Sequence, residues 1–411
     1  MNMLAADRAP AGEAGTGAGG SARASGRIGE IEVLRALAIL MVLVAHVPFN
    51  LVFWSTRLGD LIFQSSLWSG VDLFFAISGF VIARTLLPQL EGVRDIDRFV
   101  PIATVFWIRR AWRLWPAAWF WLLAPLGLCL IFNRSGAYNS LRDNWSMTVA
   151  GFTNLANFYL AHLKTPGDKG TAFVQWSLSL EEQFYIILPF AIFFLRHRLR
   201  LVLLGLFAAT FFLPINPVLL VIRVGGLCAG VLLAMAARSP LYAMCAPVFL
   251  GTRRVARIAL LVGVVALLSS LGSMTLDIVP YFQGPIAALS GVLVWVASYD
   301  GGYLWPPGPV RRLAELIAAR SYSLYLVHIP VYFAMHELWY RIYDMAVPGR
   351  VQAVAYLAVT FLLLAIVTEM NYISLECPLR EHGRVAARRF ARNAQAAIQD
   401  GIRARPQAQD A

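Results

Sequence analysis

Apolar runs close to the length of a membrane crossing recur down the whole chain, and they leave few ways to fold it. Of 411 residues, 59% are hydrophobic and only 14% charged. A soluble globular chain carries about a quarter charged residues. Each run approaches the ~20 residues that span ~30 Å of hydrocarbon as a helix. A transmembrane β-barrel would show short alternating segments instead. The reading is therefore all-α: a polytopic integral membrane helical bundle.

The runs fall at 34–54, 68–87, 114–132, 176–195, 200–213, 217–236, 257–273, 279–298, 322–340 and 351–373, giving about ten transmembrane helices. A further stretch, 146–162, is barely long enough and carries Thr153, Asn154 and Asn157. Charge decides its status. With the N-terminus cytoplasmic and 146–162 not crossing, 27 of the 35 Lys and Arg residues face the cytoplasm. If it crosses, only 15 do. The positive-inside rule prefers the first arrangement. Both termini are then cytoplasmic, and 146–162 is a re-entrant or interfacial segment, which requires its backbone to be satisfied by protein or water.

The net charge of +12 is not a nucleic-acid footprint, because the basic residues sit in the short gaps between apolar runs. Cys129, Cys228, Cys245 and Cys377 show no C-x-x-C pair and no metal-ligand spacing, so neither a disulfide nor a metal is expected. Residues 1–27 lack the apolar segment of a signal peptide and read as a disordered cytoplasmic tail. Residues 381–411 read as a basic cytoplasmic tail around a core domain at 28–380.

Ionisable groups inside apolar spans are costly and mark candidate sites. His46 falls within the first run, two residues before Pro48. Arg35 precedes it by 11 residues, which at ~100° and ~1.5 Å per residue puts both on one helix face, ~16 Å apart. Asp72 opens the second run at its outer end, and Ser78 with Gly79 makes a small patch at mid-depth, readable as close helix packing or as a polar site. Arg109, Arg110 and Arg113 stand at the cytoplasmic mouth of the third, either as a topological anchor or as an anion site, since guanidinium forks suit phosphate. Glu181 and Glu182 stand at the outer end of the fourth, beside Ser177, Ser179 and Gln183. His328 lies in the ninth run, two turns after Ser321.

Taken in order, "EIEVLRALAILMVLVAH" (30–46), "GVDLFFAISGFVI" (70–82), "FWIRRAWRLWP" (106–116), "WSLSLEEQFYIILP" (176–189), "SYSLYLVHIPV" (321–331) and "SLECPL" (374–379) resemble the blocks of the membrane acyltransferase-3 family. The resemblance covers nearly all of the chain except its tails. One departure is Glu32-Val33, where the first block usually has Asp-Gly.

The resemblance implies a bacterial inner-membrane enzyme that moves an acyl group, acetyl being the commonest, from cytoplasmic acyl-CoA to a hydroxyl of a carbohydrate or glycolipid acceptor such as a surface polysaccharide, with membrane lipids around it. It implies His46 as the catalytic imidazole, a general base or a transient acyl carrier, assisted by Glu181 and Asp72. Arg109, Arg110, Arg113 and Arg35 would hold the phosphates of acetyl-CoA. Ser78, Trp176, Glu182 and His328 would bind substrate. The rival class is a proton-coupled transporter of a polar solute, which also uses intramembrane His and Glu. The two halves of this chain show no repeat, and the motifs before residue 190 have no counterparts after it.

Overall fold

A computed structural model describes residues 26–404 except 49, 55, 56, 58, 59, 61, 63, 66, 164–168, 215 and 272–280, with side chains to 396. Most of the expected N-terminal tail and the last seven residues lie outside this range. The described residues are helical, with no β-strand among them. In chain order the helices are α1 (Gly29–Ala45), α2 (Gly70–Leu90), α3 (Ile96–Ile131), α4 (Leu141–Phe152), α5 (Ala156–Ala161), α6 (Gln175–Leu195), α7 (Leu199–Ala209), α8 (Pro217–Val221) and α9 (Gly225–Ala236). They continue with α10 (Pro240–Met244), α11 (Phe249–Thr252), α12 (Arg254–Leu271), α13 (Gln283–Ala297), α14 (Pro309–Ala319), α15 (Ser321–Tyr343), α16 (Arg350–Asn371) and α17 (Cys377–Ala404).

Four helical stretches among the described residues are long and apolar enough to cross a membrane: Leu67–Leu90, Ile96–Ile131, Arg254–Leu271 and Arg350–Ala396. A fifth is added if Gly225–Ala236 and Pro240–Thr252, bent by 100°, are taken together. The expected count of ten is not reached on this measure, because several apolar runs fold as shorter or broken helices.

The departures have local causes. The first run does not continue as helix to residue 54; α1 stops at Ala45 and His46 is its C-cap. Pro48 disfavours helix at the residue before it and removes an N–H donor. The sixth run breaks between α8 and α9, and Arg223 stands in the gap. The third run belongs to a 36-residue helix, so Arg109, Arg110 and Arg113 lie in its middle rather than at its end. The stretch 146–162 is split between the 12-residue α4 and the 6-residue α5. At the break Asn154 takes φ +56°, a left-handed conformation that asparagine tolerates. The polar residues that mark this stretch dock it onto α6. Gln183 Nε2 donates to the Asn154 carbonyl (2.7 Å) and to Asn157 Oδ1 (2.9 Å), and Asn157 Nδ2 donates back to Gln183 Oε1 (3.2 Å).

Burial separates inner from outer helices. In the most apolar stretch of Leu67–Leu90, 72% of residues are buried, against 11% in Arg254–Leu271. So α2 is central, and α12 presents Val255, Ile258 and Val262 outward, as a lipid-facing helix does. The centre is tight: a Cβ at Gly79 would lie 2.3 Å from the carbonyl oxygen of Leu227 on α9. Gly79 thus lets the two backbones meet, as small residues do between membrane helices. Its neighbour Ser78 points the other way, into a cavity among the helices.

Candidate active site

Helices α1, α2, α3, α6 and α15 surround a cavity of about 110 Å³. Its polar lining comprises Arg35, Ser78, Arg110, Arg113, Ser177 and Glu181, together with Tyr185, Ser321, Tyr322 and Tyr325. Of the residues expected at a donor site, Arg35, Arg110 and Arg113 share this cavity with Ser78 and Glu181, whereas Arg109 lines a neighbouring one. The arginines and Glu181 therefore meet in one chamber instead of marking its two ends.

Arg35, Ser78, Arg110 and Glu181 are each held by a neighbour. Glu32 fixes Arg35, whose Nη1 donates to both carboxylate oxygens at 2.8 and 2.7 Å. The acid of the first block, despite its departure from Asp, thus has a clear task. Tyr185, one turn beyond Glu181, donates its hydroxyl to Glu181 Oε2 (2.7 Å) and lies 2.8 Å from Ser78 Oγ. Arg110 packs its guanidinium 5.1 Å from the Tyr185 ring centroid. Arg113 Nε is buried with no hydrogen-bond partner among the described residues. Glu182 faces away, accepting from Trp115 Nε1 at 2.7 Å.

His46 does not line this cavity. It meets His328, 282 residues away, with His46 Nδ1 and His328 Nε2 3.3 Å apart. The network assigns the tautomers. His328 Nδ1 lies 2.7 Å from the Tyr325 carbonyl, so it carries the proton and Nε2 is an acceptor. His46 Nδ1 lies 2.9 Å from the Val42 carbonyl and also faces that Nε2, so it donates. The lone pair of His46 is then on its own Nε2. Phe173 packs against the His46 ring, at 5.6 Å between centroids, and Lys169 Nζ lies 4.3 Å from the Phe173 centroid. Tyr325 lines the cavity and its ring lies 5.7 Å from that of His328; its hydroxyl is 2.5 Å from Ser177 Oγ and donates to the Val174 carbonyl at 2.9 Å.

Asp72 is buried elsewhere, in an ion pair with Arg223 Nη1 at 2.8 Å. The Arg223 guanidinium is covered by Trp68 at 4.7 Å and Trp176 at 4.8 Å. Trp176 therefore packs on a cation, and its edge-on contact to Phe75 connects this pair to the cavity wall. Glu376, in a π-helical turn at Tyr372–Glu376, accepts from Ser323 Oγ at 2.7 Å, and Ser323 in turn accepts from Asn371. No group of three or more His, Cys, Asp or Glu able to hold a metal occurs among the described residues.

Sequence reasoning missed Tyr185, Tyr325 and Arg223. Tyr185 was findable from its i+4 spacing to Glu181, and Arg223 as an arginine inside an apolar run. Nothing in the sequence alone signals Tyr325.

A family model described as an acyltransferase domain, Acyl_transf_3, matches residues 28–369. The chain belongs to the acyltransferase-3 family. Among curated relatives, the O-acetyltransferase OatA of Staphylococcus aureus is 25% identical over 389 residues, covering 86% of this chain and 57% of the relative. The peptidoglycan O-acetyltransferase OatA of Listeria monocytogenes is 26% identical over 379 residues, covering 86% and 56%. The putative peptidoglycan O-acetyltransferase YrhL of Bacillus subtilis is 30% identical over 164 residues, covering 39% and 23%. The chain thus spans just over half the length of the OatA relatives it matches. No solved structure matches.

Proposed function

We propose that the chain is an integral membrane O-acyltransferase of the bacterial inner membrane, with both termini cytoplasmic. It takes an acyl group, acetyl by analogy with its relatives, from cytoplasmic acyl-CoA. It delivers that group to a hydroxyl of a carbohydrate acceptor. Peptidoglycan is the acceptor named for the Listeria relative, and a surface glycan of that class is the acceptor proposed for this chain. The observation that carries the reading is the clustering of Arg35, Arg110 and Arg113 on one cavity among the helices, beside a histidine pair, within a chain of this family.

In this reading Arg110 and Arg113 bind the anionic donor, because guanidinium groups make paired, charge-assisted hydrogen bonds to phosphate. His46 Nε2 accepts the proton of the acceptor hydroxyl as its oxygen attacks the thioester carbonyl; the C–S bond breaks and the sulfur leaves as the thiolate of CoA. His328 is a positioning residue. Together with the Val42 carbonyl it accepts from His46 Nδ1–H and holds the imidazole in the tautomer whose free lone pair is on Nε2. Tyr325 lines the cavity with Ser177 and packs near His328, so in this reading the acyl group passes that hydroxyl pair on its way to His46. Asp72 acts through Arg223 on Trp176 rather than on substrate. The family match counts against a transporter.

The test is consumption of acetyl-CoA by the purified protein, followed as free thiol with and without a glycan acceptor. His46→Ala is expected to lower turnover by roughly 10²–10⁴-fold, the contribution of general base catalysis, without loss of folded protein. Near-normal turnover by the folded variant would remove His46 from the chemistry.

A further inference from the structure

Helix α17 follows α16 through the π-helical turn Tyr372–Glu376 and packs along α3. The approach is close: a Cβ at Gly383 would lie 2.4 Å from Cβ of Trp112. His382 stacks on the Trp112 ring beside it, with centroids 6.3 Å apart. This packing aligns Arg380, Arg384 and Arg388, one helical turn apart each, along a single face. That face looks across a cavity of about 290 Å³ at Arg109, Arg110 and Arg113 of α3.

The described lining of this cavity is rich in guanidinium groups and includes no carboxylate. Acids of α17 and the turn before it stand to the side. Glu376 is 4.0 Å from Arg380, and Glu381 is 3.2 Å from Arg384. Thr85 and Gln89 add neutral hydrogen-bonding groups to the wall. Guanidinium forks facing one space from two helices suit an anion with several phosphate oxygens. Two of its arginines, Arg110 and Arg113, also line the smaller cavity that holds Ser78 and Glu181, so the two spaces share a wall.

We propose that Arg380, Arg384 and Arg388 form the second wall of a phosphate-binding chamber for the donor. The 3′-phosphate and diphosphate of CoA sit between α3 and α17, and the thioester arm runs past Arg110 and Arg113 into the smaller cavity. This rests on the acyl-CoA reading of the function. It extends that reading to a helix lying beyond the residues matched by the family model. A phosphomonoester, carrying about −1.5 to −2 charges and three acceptor oxygens, suits a many-armed arginine site. An anionic lipid headgroup shares the phosphate chemistry but would have no use for the connection to Ser78 and Glu181.

The experiment uses the full chain in nanodiscs of phosphatidylcholine, with and without phosphatidylglycerol, and measures binding of CoA, 3′-dephospho-CoA and pantetheine. Arg384 and Arg388 are exposed, so Arg384→Ala/Arg388→Ala leaves no void in the packing. The double variant is expected to weaken CoA roughly 100-fold, on the order of tenfold for each charge-assisted contact. It should leave pantetheine binding unchanged and abolish the preference for CoA over 3′-dephospho-CoA. Arg254→Ala, an exposed arginine on α12, should bind CoA like the unaltered protein.

Equal CoA affinity in the double variant and the parent would overturn the proposal, as would an equal loss for pantetheine. An effect seen only as altered phosphatidylglycerol retention would assign the chamber to lipid and overturn it too. If the parent protein binds no CoA in either nanodisc, the acyl-CoA reading itself fails, a result distinct from a parent that binds CoA independently of α17.

Discussion

Two clusters of charge lie against α2, one buried and one half-buried, and are built in opposite ways. At Asp72 one carboxylate meets one guanidinium at 2.8 Å, with side chains 3% and 6% exposed. Two indole faces cover the pair, including the Arg223 Nε that has no hydrogen-bond partner among the described residues. At Ser78, less than two turns along the same helix, Arg35, Arg110 and Arg113 share a cavity with one lining carboxylate, Glu181. Arg35 is already matched by Glu32, and Glu181 already accepts from Tyr185. The first cluster is closed: charges balance and aromatic rings fill the remaining space. The second is open, with surplus positive charge facing a cavity. Withdrawal of charge from solvent, full in the first and partial in the second, is common to both, so it does not mark the site. The unbalanced charge beside open space does.

The comparison predicts different failures. The largest effect on folding belongs to the closed pair. Arg223→Ala leaves the Asp72 carboxylate buried without its counter-charge, a loss of about 3–5 kcal/mol for a buried pair. Unfolding followed in detergent should show this, and Asp72→Asn/Arg223→Gln should recover a good part of it. A single variant as stable as the parent would mean that the pair is not closed as described.

The smallest effect belongs to the open cluster. Ser78→Ala removes the 2.8 Å contact to the Tyr185 hydroxyl, worth about 0.5–1.5 kcal/mol, while Tyr185 keeps Glu181. Stability should change by no more than that, with acyl transfer reduced a few-fold. A collapse of the fold comparable to that of Arg223→Ala would erase the distinction between the clusters.

Much of this site is legible in the sequence, but its depth is not. The blocks around His46, Arg110–Arg113 and Glu181 are visible as motifs, and the fold brings Arg110, Arg113 and Glu181 to one cavity. Hydropathy weighs side chains against lipid and is blind to backbone, so it carries the first helix past His46 although Pro48 stands beside the stop. Charge counting treats arginine as a loop marker. It therefore sets Arg109–Arg113 at a helix end, whereas α3 begins at Ile96, and it gives Arg223 no partner. The contact between His46 and His328 joins residues from opposite ends of the chain, and helical period says which face a residue is on, not which face it meets. The stretch 146–162 stands out as unusual because Asn154 and Asn157 are polar; what satisfies them, Gln183, lies in the neighbouring block.

The most direct measurement is the shift in unfolding temperature on adding CoA, for the parent, for Arg110→Ala/Arg113→Ala and for Asp72→Asn/Arg223→Gln. A ligand that binds only the folded state stabilises it by RT ln(1 + [L]/Kd), about 2.7 kcal/mol at a hundredfold excess over Kd. An open donor site at Arg110 and Arg113 predicts a clear upward shift for the parent. It predicts an equal shift from a lower baseline for the Asp72/Arg223 variant, and little or none for the Arg110/Arg113 variant. An undiminished CoA shift in the Arg110→Ala/Arg113→Ala protein would contradict the account.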